Sequence, residues 1–350
     1  MKRMCAITLA LLLVACGSGG STTSSRSSAS AASSTSDGLV DIGQGLRGPT
    51  GLHASVYATG LAHVAALAFD DQGRLWAATS DYSDQGQDGV YLIASTGATP
   101  VKVLNGLHTP LGLLWSGDTL YVSATGSVTA YSGFDGTAFA STKAIVTFAD
   151  GTGEVNGIVL GPDGRLRVGI SAPCDHCTPS NPQSGSIISF LPDGSDVQVE
   201  VKNVRAPIAL VYFSGELFVT MNQRDDLGDA TPGDWLSIVQ SGQDWGFPDC
   251  YGQGGASCAS QPKPVAELDP HSAASGLAFL QGQLGYVSGA VVAEWATAKV
   301  LLVTLSGTTA TGVSTFISGL TNPVPLLMTS AGQLLIGDWG SGTVDAISGS

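Results

Sequence analysis

The side chains able to do chemistry are concentrated between Asn203 and Cys258. Arg205 stands just before an apolar run, ALVYF, and a guanidinium there is a cation at every relevant pH. A turn at Ser214-Gly215 and a second run, ELFVTM, lead into NQRDDLGD over 222–229, a loop dense in side-chain and backbone oxygens. The stretch ends on aromatic and glycine residues, DWGFPDCYG. Elsewhere three of the five histidines precede apolar runs as Arg205 does: His63 in LAHVAAL, His108 in LHTPLGL and His271 in HSAASGL. Imidazoles near neutral pH suit proton transfer, and a fixed cation suits an anionic ligand.

A repeat decides whether these residues meet. One unit recurs six times: an apolar run, a turn ending in glycine, then a β-rich run, as in LAFDDQGRLWAAT (67–79) and IVLGPDGRLRVGI (158–170). The turn glycines are Gly73, Gly117, Gly164, Gly215, Gly282 and Gly332, spaced by 44, 47, 51, 67 and 50 residues. Four-stranded propeller blades repeat every ~40–50 residues, so the chain is expected to be all-β, a six-bladed β-propeller. The long interval holds the 221–258 loop, and the strand around Ser55-Val56-Tyr57 is left to close the last blade. In a propeller the first strand of each blade lines the central channel, so the residues before it ring one mouth. That ring comprises His63, His108, Glu154 to Asn156, Arg205, His271 and Asn322. It reads as a polar ligand pocket, or residue by residue as caps that bond to backbone.

Composition narrows the chemistry. Charged residues are 12% and the net charge is −14, which excludes nucleic acid as a partner. A multiply anionic cofactor would need the few cations gathered at one site. Lys2 and Arg3 followed by an apolar run to Ala15 form a signal sequence, too short to span a bilayer. LVAC at 13–16 reads as a lipobox, with Cys16 acylated after cleavage of 1–15 and a Ser/Gly-rich tether over 16–43. Gly17, not Asp, follows the cysteine, which favours the outer membrane of a bacterial envelope. The membrane is then a partner only through the lipid. The propeller is expected over 44–350. Four cysteines remain in two local pairs, Cys174/Cys177 and Cys250/Cys258, and in an exported protein they read as two disulfides. CDHC also admits a redox dithiol, whereas haem attachment needs histidine after the second cysteine, where Thr178 stands.

The central stretch resembles the glucose/sorbosone dehydrogenase family, soluble quinoproteins that use pyrroloquinoline quinone (PQQ). The family pattern runs GLRNP, a strand pair, TxNGRDxLGDxxPPDELN, then GxxYGWPxCYG. Here stand VRAP at 204–207, MNQRDDLGD at 221–229, PGDWLS at 232–237 and QDWGFPDCYG at 243–252. The resemblance implies a PQQ- and calcium-dependent dehydrogenase acting on a small sugar or aldehyde. It places Arg205, Asn222 and Arg224 at the cofactor. Calcium falls to the backbone carbonyls of Gln223 and Arg224, with Asp225, and carbonyl ligands do not depend on side-chain identity. The departures are specific. The family's histidine base stands at Gly153, its GLRNP asparagine is Ala206, and Asn322 and Pro325 replace an arginine and an aspartate of many members. Three explanations follow. His63, His108 or His271 serves as the base; or the ring runs another reaction, such as calcium-assisted lactone hydrolysis; or it binds carbohydrate without turnover. Arg224 with Asp225 and Asp226 also reads as a solvated loop that pairs with itself.

Overall fold

The computed structural model describes residues 38–82, 88–251 and 258–350. The signal sequence, Cys16 and most of the tether lie outside the described residues. Six sheets, antiparallel apart from one short added pair, form six blades. Their first strands are Val64–Phe69, Pro110–Ser116, Val155–Leu160, Ala206–Phe213, Ala274–Leu280 and Pro323–Met328. Each first strand touches the next, and the sixth touches the first, so the ring closes. Closure hides sheet edges that would otherwise invite aggregation.

Burial follows position in the blade. The second strands Leu75–Thr79, Leu166–Ile170 and Leu334–Asp338 are buried at every residue, because both faces meet a neighbouring blade. The outer strands Val101–Asn105 and Gln198–Lys202 are mostly exposed. Six apolar clusters, one at each blade–blade interface, form the core. The six repeat glycines all adopt positive φ, from +59° to +89°, in the turn between first and second strands. Only glycine does this without cost. At Gly276 in the fifth blade's first strand a Cβ would stand 2.1 Å from the Val324 carbonyl oxygen, so glycine lets the inner strands crowd the channel.

Leu52–Thr59 pairs with Thr343–Gly349 and closes the sixth blade, as the sequence leads one to expect. The folded part begins earlier than residue 44. Val40–Gly43 pairs with Leu46–Gly48, and Arg47 pairs with Ser318 at the edge of the fifth blade. Ile42 and Leu46 are buried there, which is why four residues assigned to the tether are strand. The 67-residue interval is explained by a detour. After Gly233–Val239 the chain runs back beside the third blade, where Gln243-Asp244 adds a short parallel strand, before Ala266–Pro270 completes the fourth.

Candidate active site

The mouth is built by two sets of segments: those entering each first strand and those leaving each second strand. Antiparallel pairing puts both at the same end. Buried hydrogen bonds stitch the blades together there. Asn156 Nδ2 donates to the Pro207 carbonyl at 2.9 Å, Thr220 Oγ1 to the Ser275 carbonyl at 2.8 Å, and Ser275 Oγ to the Pro323 carbonyl at 3.1 Å. Asn156 is therefore a buried strut whose amide nitrogen is engaged, where it lines the smaller cavity of this mouth.

Two cavities share this mouth. The first, about 730 Å³, is lined by His108, Glu154, Arg205, Asn222 and Asp225 together with residues 149–153 and 171–174. The second, about 400 Å³, is walled by Tyr82, Trp295 and Trp339. Glu154, Ile208 and Asn222 line both.

Arg205 is the cation of the first cavity. Its Nη2 lies 2.5 Å from Asp175 Oδ1 and 3.4 Å from Asp225 Oδ2, and its side chain is 19% exposed. Its Nε and the Oδ1 of Asn222 are buried without a hydrogen-bond partner among the described residues. Asp175 sits between Cys174 and Cys177, which are disulfide-bonded. Its carboxylate accepts the backbone N–H of Asp225 at 3.0 Å and of Asp226 at 2.8 Å. One carboxylate thus clamps Arg205 and the 222–226 turn together.

The same turn is anchored from behind. Gln223 is buried and its N–H donates to Asp234 Oδ1 at 2.7 Å. Asp234 also accepts from Ser272 Oγ at 2.8 Å and the Ala274 N–H at 3.0 Å. Burial pushes its carboxyl up, and these donors oppose the shift. Gln223 and Arg224 are both buried, and neither lines the first cavity although Asn222 and Asp225 on either side of them do. Among the described residues no three His, Cys, Asp or Glu side chains converge as a metal cage. Arg224 turns away from the cavity. Its guanidinium makes two 2.6 Å bonds to Asp226 and lies 4.6 Å from the Tyr251 ring centre, which matches the self-paired reading of that side chain.

The three histidines do not converge. His108 lines the first cavity. His63 stacks on Trp339, ring centres 4.2 Å apart, and so supports the wall of the second. His271 is exposed at the lip, with Nδ1 3.0 Å from Asp225 Oδ1 and Nε2 3.1 Å from the Gly228 carbonyl. Both partners are acceptors, so both nitrogens must donate and the imidazolium is favoured. The Gly228 carbonyl, then Asp225, accordingly raise its pKa.

Gly153 explains itself. It has φ +104°, and a Cβ there would stand 2.1 Å from the Ser171 carbonyl oxygen. No histidine fits at this position without moving that strand end. Its neighbour Glu154 opens into both cavities. The surrounding walls desolvate its carboxyl and raise its pKa, while Arg205 pulls the other way. Sequence reasoning placed Glu154 on the ring without a role. It missed Tyr82, Asp175, Trp295 and Trp339, all of which follow second strands. The signal was present, since both indoles occupy corresponding positions in blades five and six.

The SMP-30/Gluconolactonase/LRE-like region model matches residues 57–222. Among curated proteins, none matches the sequence. Solved structures share the architecture at low identity. The calcium structure of Trichoderma reesei Carbohydrate-Active Enzymes Family AA12 aligns with a TM-score of 0.72 at 15% identity, over 90% of this chain and 100% of that one. The PQQ-bound Aldose Sugar Dehydrogenase of Streptomyces coelicolor aligns at 0.70 and 18% identity, over 86% and 99%. The holo Pyranose Dehydrogenase PQQ domain of Coprinopsis cinerea aligns at 0.72 and 15%, over 87% and 97%. In architecture the chain is thus a six-bladed propeller that closely resembles sugar dehydrogenases of the PQQ-dependent kind.

Proposed function

We propose that the protein is a PQQ- and calcium-dependent dehydrogenase of small sugars or aldehydes. The observation that carries this reading is the pair of orphaned polar atoms, Arg205 Nε and Asn222 Oδ1, in a cavity large enough for a tricyclic ligand. Buried polar atoms are normally satisfied, so unpaired ones at a mouth favour a bound polar partner. Arg205 would hold a carboxylate of the quinone, and Asn222 would accept a hydrogen bond from it. The carbonyls of Gln223 and Arg224, with Asp225, would hold calcium. When bound, the quinone supplies a two-electron acceptor and calcium polarises it.

Charge sets a condition on this. Asp150, Glu154 and Asp225 line the first cavity and Asp175 adjoins it, against one arginine. A tricarboxylate cannot settle there unless a divalent cation offsets the acids. Quinone binding should therefore depend on calcium. The experiment titrates apo-protein with PQQ with and without calcium, following the quinone's visible absorption, then assays aldoses with an artificial electron acceptor. Calcium-dependent binding and sugar oxidation support the reading; neither at millimolar calcium would end it.

A second reading is calcium-assisted lactone hydrolysis, favoured by the gluconolactonase-type model match over 57–222. It predicts hydrolysis of an aldonolactone with calcium and no quinone. Carbohydrate binding without turnover is the outcome if both assays are blank. We also propose that Cys16 is lipidated and tethers the protein to the bacterial outer membrane. Cys16→Ser should then release it to the soluble envelope fraction.

A further inference from the structure

We propose that Glu154 takes the hydroxyl proton from the sugar, in place of the histidine that Gly153 excludes. The inference rests on the dehydrogenase reading. Its basis is position. Among the described residues, Glu154 is the one titratable side chain that lines both cavities. The first cavity holds the arginine suited to an anionic cofactor. The second has the walls a sugar ring needs: Trp295 and Trp339 meet edge to face, ring centres 5.8 Å apart, and Trp339 is fixed by a 2.8 Å bond from Nε1 to the Ser80 carbonyl. Indole faces pack on the apolar C–H face of a sugar, as they do on other apolar groups. A base between cofactor and substrate belongs at the junction, and Glu154 stands there.

The other candidates are committed elsewhere. Asp175 is spent on Arg205 and two backbone N–H groups. Asp225 is shared by Arg205 and His271. Both nitrogens of His271 are engaged, and His63 is stacked into a wall. His108 lines the first cavity and not the second, so it does not stand at the junction. No described residue donates a hydrogen bond to the Glu154 carboxylate. Arg205 acts on it only as a nearby charge. The desolvating walls strengthen it as a base, since they raise its proton affinity.

The anomeric O–H bond of an aldose breaks and its proton passes to a Glu154 oxygen. The C–H bond breaks with its electron pair, which goes as hydride to an ortho-quinone. The carbon–oxygen double bond of the lactone forms. The sugar is oxidised by two electrons and the quinone reduced by two.

The test uses the PQQ- and calcium-loaded protein. Glu154→Gln should lower kcat by about 100-fold or more, the usual range for a lost general base. Quinone absorption should be retained, with affinity unchanged or raised because one cavity carboxylate is neutralised, and the sugar Kd, read from tryptophan fluorescence, should stay within about twofold. Glu154→Asp should recover part of kcat, and added formate should rescue Glu154→Gln. The acidic limb of kcat/KM should disappear in Glu154→Gln. The neighbouring titratable or charged groups that could also shape that limb are Asp81, Tyr82, His108, Asp150, Asp175, Arg205 and Asp225. Thermal melting confirms that each variant folds. Three results overturn the proposal alone: Glu154→Gln keeps its activity, loses quinone absorption, or is not rescued by formate although it binds sugar and quinone. A wild type that binds no quinone ends the dehydrogenase reading, and this proposal with it.

Discussion

Arg205 meets two carboxylates before any ligand arrives, and that decides how it would answer mutation. Asp175 competes for the guanidinium with the carboxylate of an incoming anion. Asp175→Asn should therefore strengthen quinone binding several-fold, whereas Arg205→Ala should weaken it by a factor of tens or more. The second estimate follows from the roughly 2–5 kcal/mol cost of truncating a buried charge pair. Titrations of both variants with PQQ check this, and weaker binding by Asp175→Asn would show that the aspartate belongs to the site. A second residue makes a pH prediction. Burial, followed by the nearby Asp338 charge, pushes the Asp345 carboxyl up to about 6, with a hydrogen bond from Thr343 opposing. A raised carboxylate pKa penalises the folded state above that value, and the penalty is relieved as pH falls towards 4. Asp345→Asn should thus raise the Tm by several degrees at pH 7 and leave it nearly unchanged at pH 4. The shift corresponds to at most roughly 3 kcal/mol at neutral pH. A melting series across that range is the measurement. Arg205 was legible in the sequence because its type and place before a first strand were both informative. Its clamp was not, because Asp175 lies 30 residues away.

Loops after second strands carry much of the mouth, and they were the part hardest to read. A first strand announces itself by an apolar run ahead of a glycine turn, so its entry residues can be counted from the repeat. The segment that leaves a second strand has no fixed length, as 171–185 and 223–232 show. The Cys174–Cys177 loop is one such segment, and it holds the other in place through Asp175. Replacing both cysteines by serine should loosen that clamp and lower calcium affinity at the 222–226 turn by several-fold. Thermal melting against calcium concentration reports it, because a ligand of the folded state stabilises by mass action. The unaltered protein should melt higher in calcium and lose the gain in EDTA. An equal response from the double variant would separate the disulfide loop from the metal turn. The ring histidines were legible only as sequence positions, for a related reason. Equal positions in the repeat do not give equal side-chain directions, so His63 and His271 turned to Trp339 and Asp225.

At the scale of the molecule the fold depends on one seam. Five blades are continuous in the chain apart from added edge strands, but the sixth borrows Leu52–Thr59 from the N-terminal side. Tyr57, Ala58 and Leu61 lie in the apolar cluster between the sixth and first blades. The hairpin of Val40–Gly43 and Leu46–Gly48 covers the fifth blade's edge and buries Ile42 and Leu46. Removing residues 1–37 touches none of this, so that truncation should melt within about a degree of the full chain. Removing residues 1–60 takes away the closing strand and the hairpin. It exposes the edge of Thr343–Gly349 and strips apolar side chains from two interfaces. Burying a large apolar side chain contributes ~1.5–3 kcal/mol, so losing Ile42, Leu46, Leu52 and Tyr57 together exceeds much of the 5–15 kcal/mol that stabilises a typical domain. The longer truncation should therefore aggregate or lose its cooperative transition. Adding 44–60 back at the C-terminus, after Ser350, should restore it, because the closing strand then reaches the same edge from the other direction of the chain. The bond from the Ser350 N–H to the Gly51 carbonyl, 3.0 Å long, places the two ends side by side and makes that permutation short. Calorimetry on the three proteins decides the matter. A cooperative, unshifted melt for the chain lacking 1–60 would mean that the ring holds without its seam.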